Sequence, residues 1–377
     1  MTAGLQALRE RVLDDPVAQE TLDAIEDFEA FAARAADLAS ARGLNIDAAD
    51  IRAAVHDAFA PPITRATAPQ GWLPAKVTSH DGHPAVTWLR FGRWRLTQPF
   101  YDDDLMRARL RPLNRLIGLR TPLPRPGDHP ARDPDGLIFH MSRCGSTLAA
   151  QMLAASSANL VISEAPPIDA VLALDVGDDA KVESLRAMVA ALGQARAGET
   201  RLFLKLDCWH VRDLPLLRRA FPAAPWIFLY REPIEVLVSH ARRRGVQMIP
   251  DFVSPERLGL ALPGGVPDLD YCARVLAAIC EGAARHHPGG GGRLVNYRDL
   301  PRALFITLLP HFGVAPSEGE AALMRTAGAR DAKTPEQGFI PDGEAKRREA
   351  GEDLRAICEH RVGDVYRRLE ALRMAQT

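Results

Sequence analysis

The sequence predicts an α/β fold: a three-layer, mostly parallel sheet behind an N-terminal helical and β-hairpin appendage. Three observations carry this. Short apolar runs begin near Leu137, Leu160, Leu202, Trp226 and Leu294, each of roughly four to six residues and separated by helical patterns, the signature of parallel strands buried on both faces. The texture before them is different, helical to about residue 60 and then β-rich from Trp72 to Phe100. At 377 residues, with 47% apolar and 25% charged, the chain has material for a large core and is long for one domain.

Taken in order, residues 1 to about 60 read as helices broken at Asp14-Asp15-Pro16 and at Gly43, and Ala60-Pro61-Pro62 stops the pattern. Strands are expected at Lys76–Ser79, Ala85–Phe91 and Trp94–Thr97, with Asp81-Gly82 as the hairpin turn. Trp72, Trp88 and Trp94 fall here and read as a small apolar core, with a stacking platform for a ring or sugar as the alternative. His80 and His83 flank the turn and Asp102-Asp103-Asp104 follow. No further ligand stands at metal spacing, so a solvated turn and a helix N-terminus are expected, and no metal. Thr121–Asp135, with five prolines, reads as a linker. The expected domains are therefore 1–125, of unassigned role, and 131–377.

The formal net charge of -1 supplies no global basic field, so neither nucleic acid nor an anionic membrane is expected as a partner, and any anion site must be local. Cys144, Cys208, Cys272, Cys280 and Cys358 show no metal spacing and read as reduced thiols of a cytoplasmic protein. The N-terminus has no apolar signal core, and no apolar run approaches the roughly 20 residues of a membrane span.

The first strand runs Gly136-Leu-Ile-Phe-His140 into Met141-Ser-Arg-Cys-Gly-Ser-Thr-Leu148 and a helical Ala149–Ala155. A strand, a short loop with Gly, Ser and Thr, and a helix start make a P-loop-type nest of N–H donors that favours phosphate. Gly145 allows close approach, Ser146 and Thr147 add hydroxyls, and Arg143 adds a fixed charge. The nucleoside-triphosphatase pattern G-x-x-x-x-G-K-[ST] fails at both ends, with His140 in place of the first Gly and Ser146 in place of the Lys. A plain strand-to-helix turn with a capping serine is the alternative. A second anion site is expected after the strand Trp226–Leu229, where Tyr230-Arg231-Glu232-Pro233 opens a helix. Ser239 stands eight residues after Arg231, and Arg243 one helical turn beyond Ser239. The alternative is that Arg231 pairs with Glu232 or Glu235 and that Arg242–Arg244 form a solvated helix end.

These two segments resemble the donor-binding motifs of the sulfotransferases that use 3'-phosphoadenosine 5'-phosphosulfate, most closely the tyrosylprotein-type and bacterial branches. Ser142-Arg-Cys-Gly-Ser-Thr-Leu148 looks like the loop that holds the 5'-phosphosulfate, with Cys144 in place of a small Ser. Phe228-Leu-Tyr-Arg-Glu-Pro-Ile-Glu-Val-Leu-Val-Ser239 looks like the 3'-phosphate motif. The resemblance covers about residues 136–345 and implies Arg143, Cys144, Gly145, Ser146, Thr147, Arg231, Ser239 and Arg243 as donor ligands. It also places Tyr297, in Leu294-Val-Asn-Tyr-Arg-Asp-Leu300, near the adenine, and Lys333, in Asp331–Pro341, on a phosphate.

Lys205, near the end of the strand Arg201–Lys205, must reach water or an anion, and the resemblance implies that it balances charge on the bridging oxygen as the S–O bond breaks. Arg143 is expected to stabilise that oxygen with Lys205, and Glu164, at the end of Asn159–Ser163, is the expected base; a capping acid before Pro166-Pro167 is the alternative. Asp207 stands where some branches have a basic His, and His210 is a further choice of base. The expected reaction is sulfuryl transfer to an acceptor hydroxyl or amine of a small molecule, carbohydrate or peptide, leaving adenosine 3',5'-bisphosphate and needing no metal. The rivals are a P-loop phosphotransferase or nucleoside triphosphatase, and a non-catalytic nucleotide-binding module. Gly245–Pro267 is expected to line the acceptor side.

Overall fold

A computed structural model describes residues 2–57, 61–250, 252–260, 266–330 and 342–376. The chain forms two compact units: residues up to Arg132 together with Pro166–Gly198, and Asp133–Ala165 together with residues from Glu199 onward. The expected second domain, 131–377, is thus interrupted. Its residues 166–198 supply two helices, Pro166–Leu172 and Asp178–Leu192, to the first unit. The buried amide of Gln194 accepts from the Gly71 N–H (3.0 Å) and donates to the Trp72 carbonyl (2.9 Å), which ties this insertion to the start of a strand far away in sequence.

In the first unit, helices Ala3–Leu13, Pro16–Asp23, Phe28–Ser40 and Ala48–Asp57 precede a four-stranded sheet. The Asp15 side chain caps the second helix, with Pro16 at its first position. The strands are β1 (Pro62–Thr64), β2 (Trp72–His80), β3 (His83–Arg90) and β4 (Gly118–Pro122), in the order β1-β4-β3-β2. Asp81 and Gly82 both have positive φ (50° and 77°), the turn that suits the twist of a two-residue hairpin. The expected strand Trp94–Thr97 is absent, and β4 pairs with β3 instead. The buried Asp104 carboxylate takes the Thr97 and Gln98 N–H groups (3.4 and 3.3 Å), so those donors have no need of a strand partner. Trp72 and Trp88 are core residues, their ring N–H groups donating to Gln19 and Thr121 (each 2.9 Å).

The second unit holds an all-parallel sheet of β5 (Gly136–His140), β6 (Asn159–Ser163), β7 (Arg201–Lys205), β8 (Trp226–Tyr230) and β9 (Gly292–Asn296), in the order β6-β7-β5-β8-β9. β5, β6 and β8 are buried at every residue, which is why they read as unbroken apolar runs. The order reverses at β5, so the C-terminal ends of β7, β5 and β8 lie side by side, the crevice where ligands of such sheets bind. Towards the C-terminus a short helix, Gly343–Glu349, is followed after Ala350-Gly351 by a long one over 352–374, continuous through a π-helical turn at Glu359–Gly363. All five cysteines are buried and free. No helix of the described residues is long and apolar enough to cross a membrane.

Candidate functional site

The loop after β5 is wound left-handed. Ser142, Arg143 and Gly145 have φ of 81°, 51° and 81°, and Gly145 is the N-cap of helix Ser146–Ala154. Such a turn points successive N–H groups inward, and the helix has no side-chain cap to occupy its first-turn amides. Three side chains hold the loop in this shape. The Cys144 thiol donates to the Leu229 carbonyl on β8 (3.1 Å). The Ser142 hydroxyl accepts from Gln247 Nε2 (2.7 Å) and meets His240 Nε2 at 3.3 Å; His240 Nδ1 accepts the Gly245 N–H (3.2 Å), so Nε2 carries the proton. The Ser142 N–H in turn donates to His140 Nδ1 (3.2 Å). Burial pushes the Cys144 thiol up to about 11, so this cysteine is a tether and not a thiolate. Ser146 and Thr147 are buried at the helix start.

Arg143 and Arg243 come together at the loop's outer side, where an Arg143 Nη donates to the Arg243 carbonyl (2.9 Å). Burial and then the charge of Arg243 lower the Arg143 pKa. Among the described residues neither guanidinium pairs with a carboxylate. Arg243 arrives there by a route other than the expected one. Helix Pro233–Arg242 ends before it, and its backbone is extended (φ -153°, ψ 112°) rather than one more helical turn.

Arg231, just past β8, is almost fully buried. Its Nε donates to Glu235 and an Nη to Asp342 (both 2.6 Å), so the bland pairing with Glu235 is realised. Asp342 also meets Lys346 (2.6 Å), and Arg347 reaches Glu235. Burial works against the Arg231 charge, but the bonds to Asp342 and Glu235 outweigh it and raise its pKa. The guanidinium stacks over the Tyr297 ring, 4.1 Å from its centroid. That same ring lies against Gly145, where a Cβ would stand 2.6 Å from Tyr297 Cδ2. One aromatic ring therefore touches both anion motifs. The Ser239 hydroxyl donates to the Glu235 carbonyl (2.9 Å) on the same helix.

Lys205, at the end of β7 and with no exposed side-chain surface, forms an ion pair with Glu164. Glu164 follows β6 with φ +54°, a left-handed conformation rare for such a residue, and its N–H donates to the Lys205 carbonyl (2.7 Å). His140, at the end of β5, bridges the two systems: with Nδ1 accepting from Ser142, Nε2 donates to Glu164 (3.1 Å). Burial favours a neutral Glu164, but the Lys205 ammonium and the His140 bond prevail and hold the carboxyl well below the usual range. Burial, then Lys205, lower the His140 pKa and keep the ring neutral.

His140, His240 and Gln247 are the residues that sequence reasoning missed. The available signal was a histidine closing an apolar strand at the very position where a phosphate loop usually has glycine. Asp207 and His210 follow β7, their side chains 3.8 Å apart, and His210 is buried. Lys333 lies outside the described residues.

Among solved structures, the chain is similar to the sulfotransferase domain from the curacin biosynthetic pathway, at 15% identity over 61% of this chain and 98% of that one, with a TM-score of 0.40. It is also similar to a sulfotransferase from Alicyclobacillus acidocaldarius (15% identity, 65% and 98% covered, TM-score 0.41). A third is sulfotransferase STF9 from Mycobacterium avium (13%, 61% and 78%, TM-score 0.38). No protein-family model and no curated protein matches the sequence. At these identities and TM-scores the likenesses carry no argument, and function must be argued from the site.

Proposed function

We propose that the chain is a sulfotransferase that moves a sulfuryl group from 3'-phosphoadenosine 5'-phosphosulfate to an acceptor hydroxyl or amine. The observation that carries this reading is the shared contact of Tyr297 with Gly145 and Arg231, because one bis-phosphorylated adenosine must engage a phosphate loop and a second phosphate site across a single short span. Arg143 and Arg243, which meet no carboxylate among the described residues, add a local positive field at that loop.

In this reading the amides of Cys144–Thr147 hold the 5'-phosphate, Arg231, Ser239 and Arg243 hold the 3'-phosphate, and Tyr297 lies beside the adenine. The acceptor oxygen or nitrogen forms a bond to sulfur in line with the breaking S–O bond, whose electron pair leaves on the bridging oxygen of the 5'-phosphate. Lys205 and Arg143 stabilise that oxygen, and Glu164 takes the acceptor's proton. In the structure Glu164 is a poor base, because Lys205 holds it. A phosphosulfate that draws the ammonium toward itself loosens this pair and raises the basicity of Glu164, so donor binding switches the base on. Positioning and charge carry such a transfer, as they do for phosphoryl groups.

The test is calorimetry with adenosine 3',5'-bisphosphate and with ATP, each with and without Mg2+, followed by transfer from radiolabelled donor to an extract of the source cell. Metal-independent binding of the bisphosphate and a labelled acceptor are expected. Binding of ATP alone with Mg2+ would instead favour a phosphotransferase. Tight bisphosphate binding without any labelled product would favour a non-catalytic module.

A further inference from the structure

A separate cavity of about 400 Å³ lies along β9, the edge strand of the parallel sheet, between the segment Asp299–Thr307 and the C-terminal helix. That volume suits a small organic molecule. Its floor is apolar, from Leu294, Val295 and Ala303, with Leu300 and Ile306 beside them. Its rim carries four arginines, Arg293, Arg298, Arg302 and Arg373. For a chain of net charge -1 this is a concentrated positive field.

The charges around the cavity do not balance. Arg298 pairs with Glu370 (2.9 Å), and Arg373 pairs with Glu370 (3.1 Å) and Asp299 (3.6 Å). Glu370 is held down to about 2: burial works against its charge, and bonds from Arg373, Tyr230 and Asn296 outweigh burial. Glu370 is thus ionised, and both carboxylates are engaged by these two arginines. Arg293 and Arg302 meet no carboxylate among the described residues, which leaves two positive charges in excess. One donor at the strand edge is already used, since the Leu294 N–H donates to the Gln376 side chain (3.1 Å). An incoming β-strand therefore finds that donor taken, and the arginines are what the cavity offers.

We propose that this cavity is a second anion site, taking a small organic dianion such as a phosphate monoester or a short dicarboxylate. The paired Arg298 and Arg373 fix the walls, Arg293 and Arg302 grip the oxyanions as forks, and the apolar floor receives the carbon body. The turn carrying Arg298 and Asp299 also carries Tyr297 and Leu300, which face Gly145 on its other side. An anion seated here stiffens the support of the phosphate loop.

The test is calorimetry of the full chain at low ionic strength with inorganic phosphate and, separately, succinate, comparing Arg293→Gln/Arg302→Gln with Arg143→Gln/Arg243→Gln. The cavity pair is expected to lose one class of site, with affinity down ten-fold or more, while the loop pair keeps it. The stronger of the two probes names the ligand chemistry. Sites that survive the cavity pair and vanish with the loop pair overturn the proposal, as does the absence of any binding to the wild-type chain. Should the cavity pair fail to fold, Ile306→Trp fills the cavity from an exposed position and is expected to weaken the same site; unchanged affinity there is equally fatal. Adenosine 3',5'-bisphosphate binding by the cavity pair keeps this result separate from the fate of the proposed transfer reaction.

Discussion

Replacing Gly145 with alanine strikes the one point where the two anion motifs meet. The new Cβ would lie 2.6 Å from Tyr297 Cδ2, 2.9 Å from Cε2 and 3.1 Å from Leu300 Cδ1, on a backbone with φ +81°. Relief to an ordinary contact requires the ring to retreat by roughly 0.8 Å. The ring cannot yield without disturbing the Arg231 guanidinium stacked 4.1 Å from its centroid. The left-handed backbone alone costs a non-glycine residue about 1–2 kcal/mol, and overpacking adds about 1–3 kcal/mol. Gly145→Ala should therefore destabilise the second unit by about 2–5 kcal/mol and weaken adenosine 3',5'-bisphosphate binding by ten-fold or more. In a Tyr297→Ala background the ring collision is gone, leaving the backbone part, about 1–2 kcal/mol, and the milder contact with the flexible Leu300 Cδ1. Because the chain has two units, urea unfolding is read together with hydrogen exchange of the amides in 136–154, which reports the local free energy. A Gly145→Ala chain within about 0.5 kcal/mol of wild type, or an equal cost in both backgrounds, would refute the contact as the organising feature of the site.

Asp342→Asn removes the half-exposed carboxylate that a phosphate must displace from Arg231; bisphosphate affinity should rise about five-fold, roughly 1 kcal/mol, and a fall by calorimetry would show that Asp342 helps to build the site. Glu164 has a folded pKa below its unfolded value near 4.3, so its contribution to stability is complete above that pH and is lost as pH falls below it. In Lys205→Met the buried carboxylate loses its cation and the sign reverses, so the gap in melting temperature between variant and wild type should narrow from about pH 7 to pH 3; a gap independent of pH would contradict the pairing. The His140 pKa is lowered, so its contribution is present above about 6.5 and fades below; its ring resonances should begin to titrate below that value in NMR spectra, and titration at or above it would contradict a buried neutral ring. Cys144, with its thiol pushed up to about 11, should resist thiol reagents at about pH 8 until urea opens the chain; rapid modification of the native protein would remove its tether to Leu229.

The parallel strands were legible because strands buried on both faces become uninterrupted apolar runs, and β5 to β9 all begin close to where those runs do. β1 and β4 were not. Pro-Ile-Thr is too short to show a period, and Gly-Leu-Arg-Thr-Pro lies at the mouth of a proline-rich stretch that reads as linker. Trp94–Thr97 shows the opposite failure, a strand-like composition whose N–H groups were claimed by Asp104 and whose tryptophan ring is flanked by Arg107 and Arg111. The place of residues 166–198 rests on Gln194 bonding to Gly71 and Trp72, a partnership more than 120 positions apart that no local pattern records. At the site, the loop, Arg231 and Tyr297 were visible as motifs. Glu164 and Lys205 stood out singly, but their pairing with each other and with His140 did not, because the three meet only once three strand ends are laid side by side.

How the cations of the site are balanced also bears on what holds a ligand there. The two deeply buried ones, Lys205 and Arg231, are neutralised by the chain itself, through Glu164 and through Glu235 and Asp342. Burial demands this, since an uncompensated ion out of water costs several kcal/mol. The more open pair, Arg143 and Arg243, meets no carboxylate among the described residues, and water tolerates such charge at its edge. A phosphate arriving at Arg231 must therefore exchange with a carboxylate, and its gain is only the difference between two partners. One arriving at Arg143 and Arg243 finds no carboxylate of the described residues to displace. Gross attraction is consequently concentrated at the loop's rim and should fade with salt, whereas discrimination lies at the buried cations, where only a ligand with better geometry than the chain's own carboxylates can win.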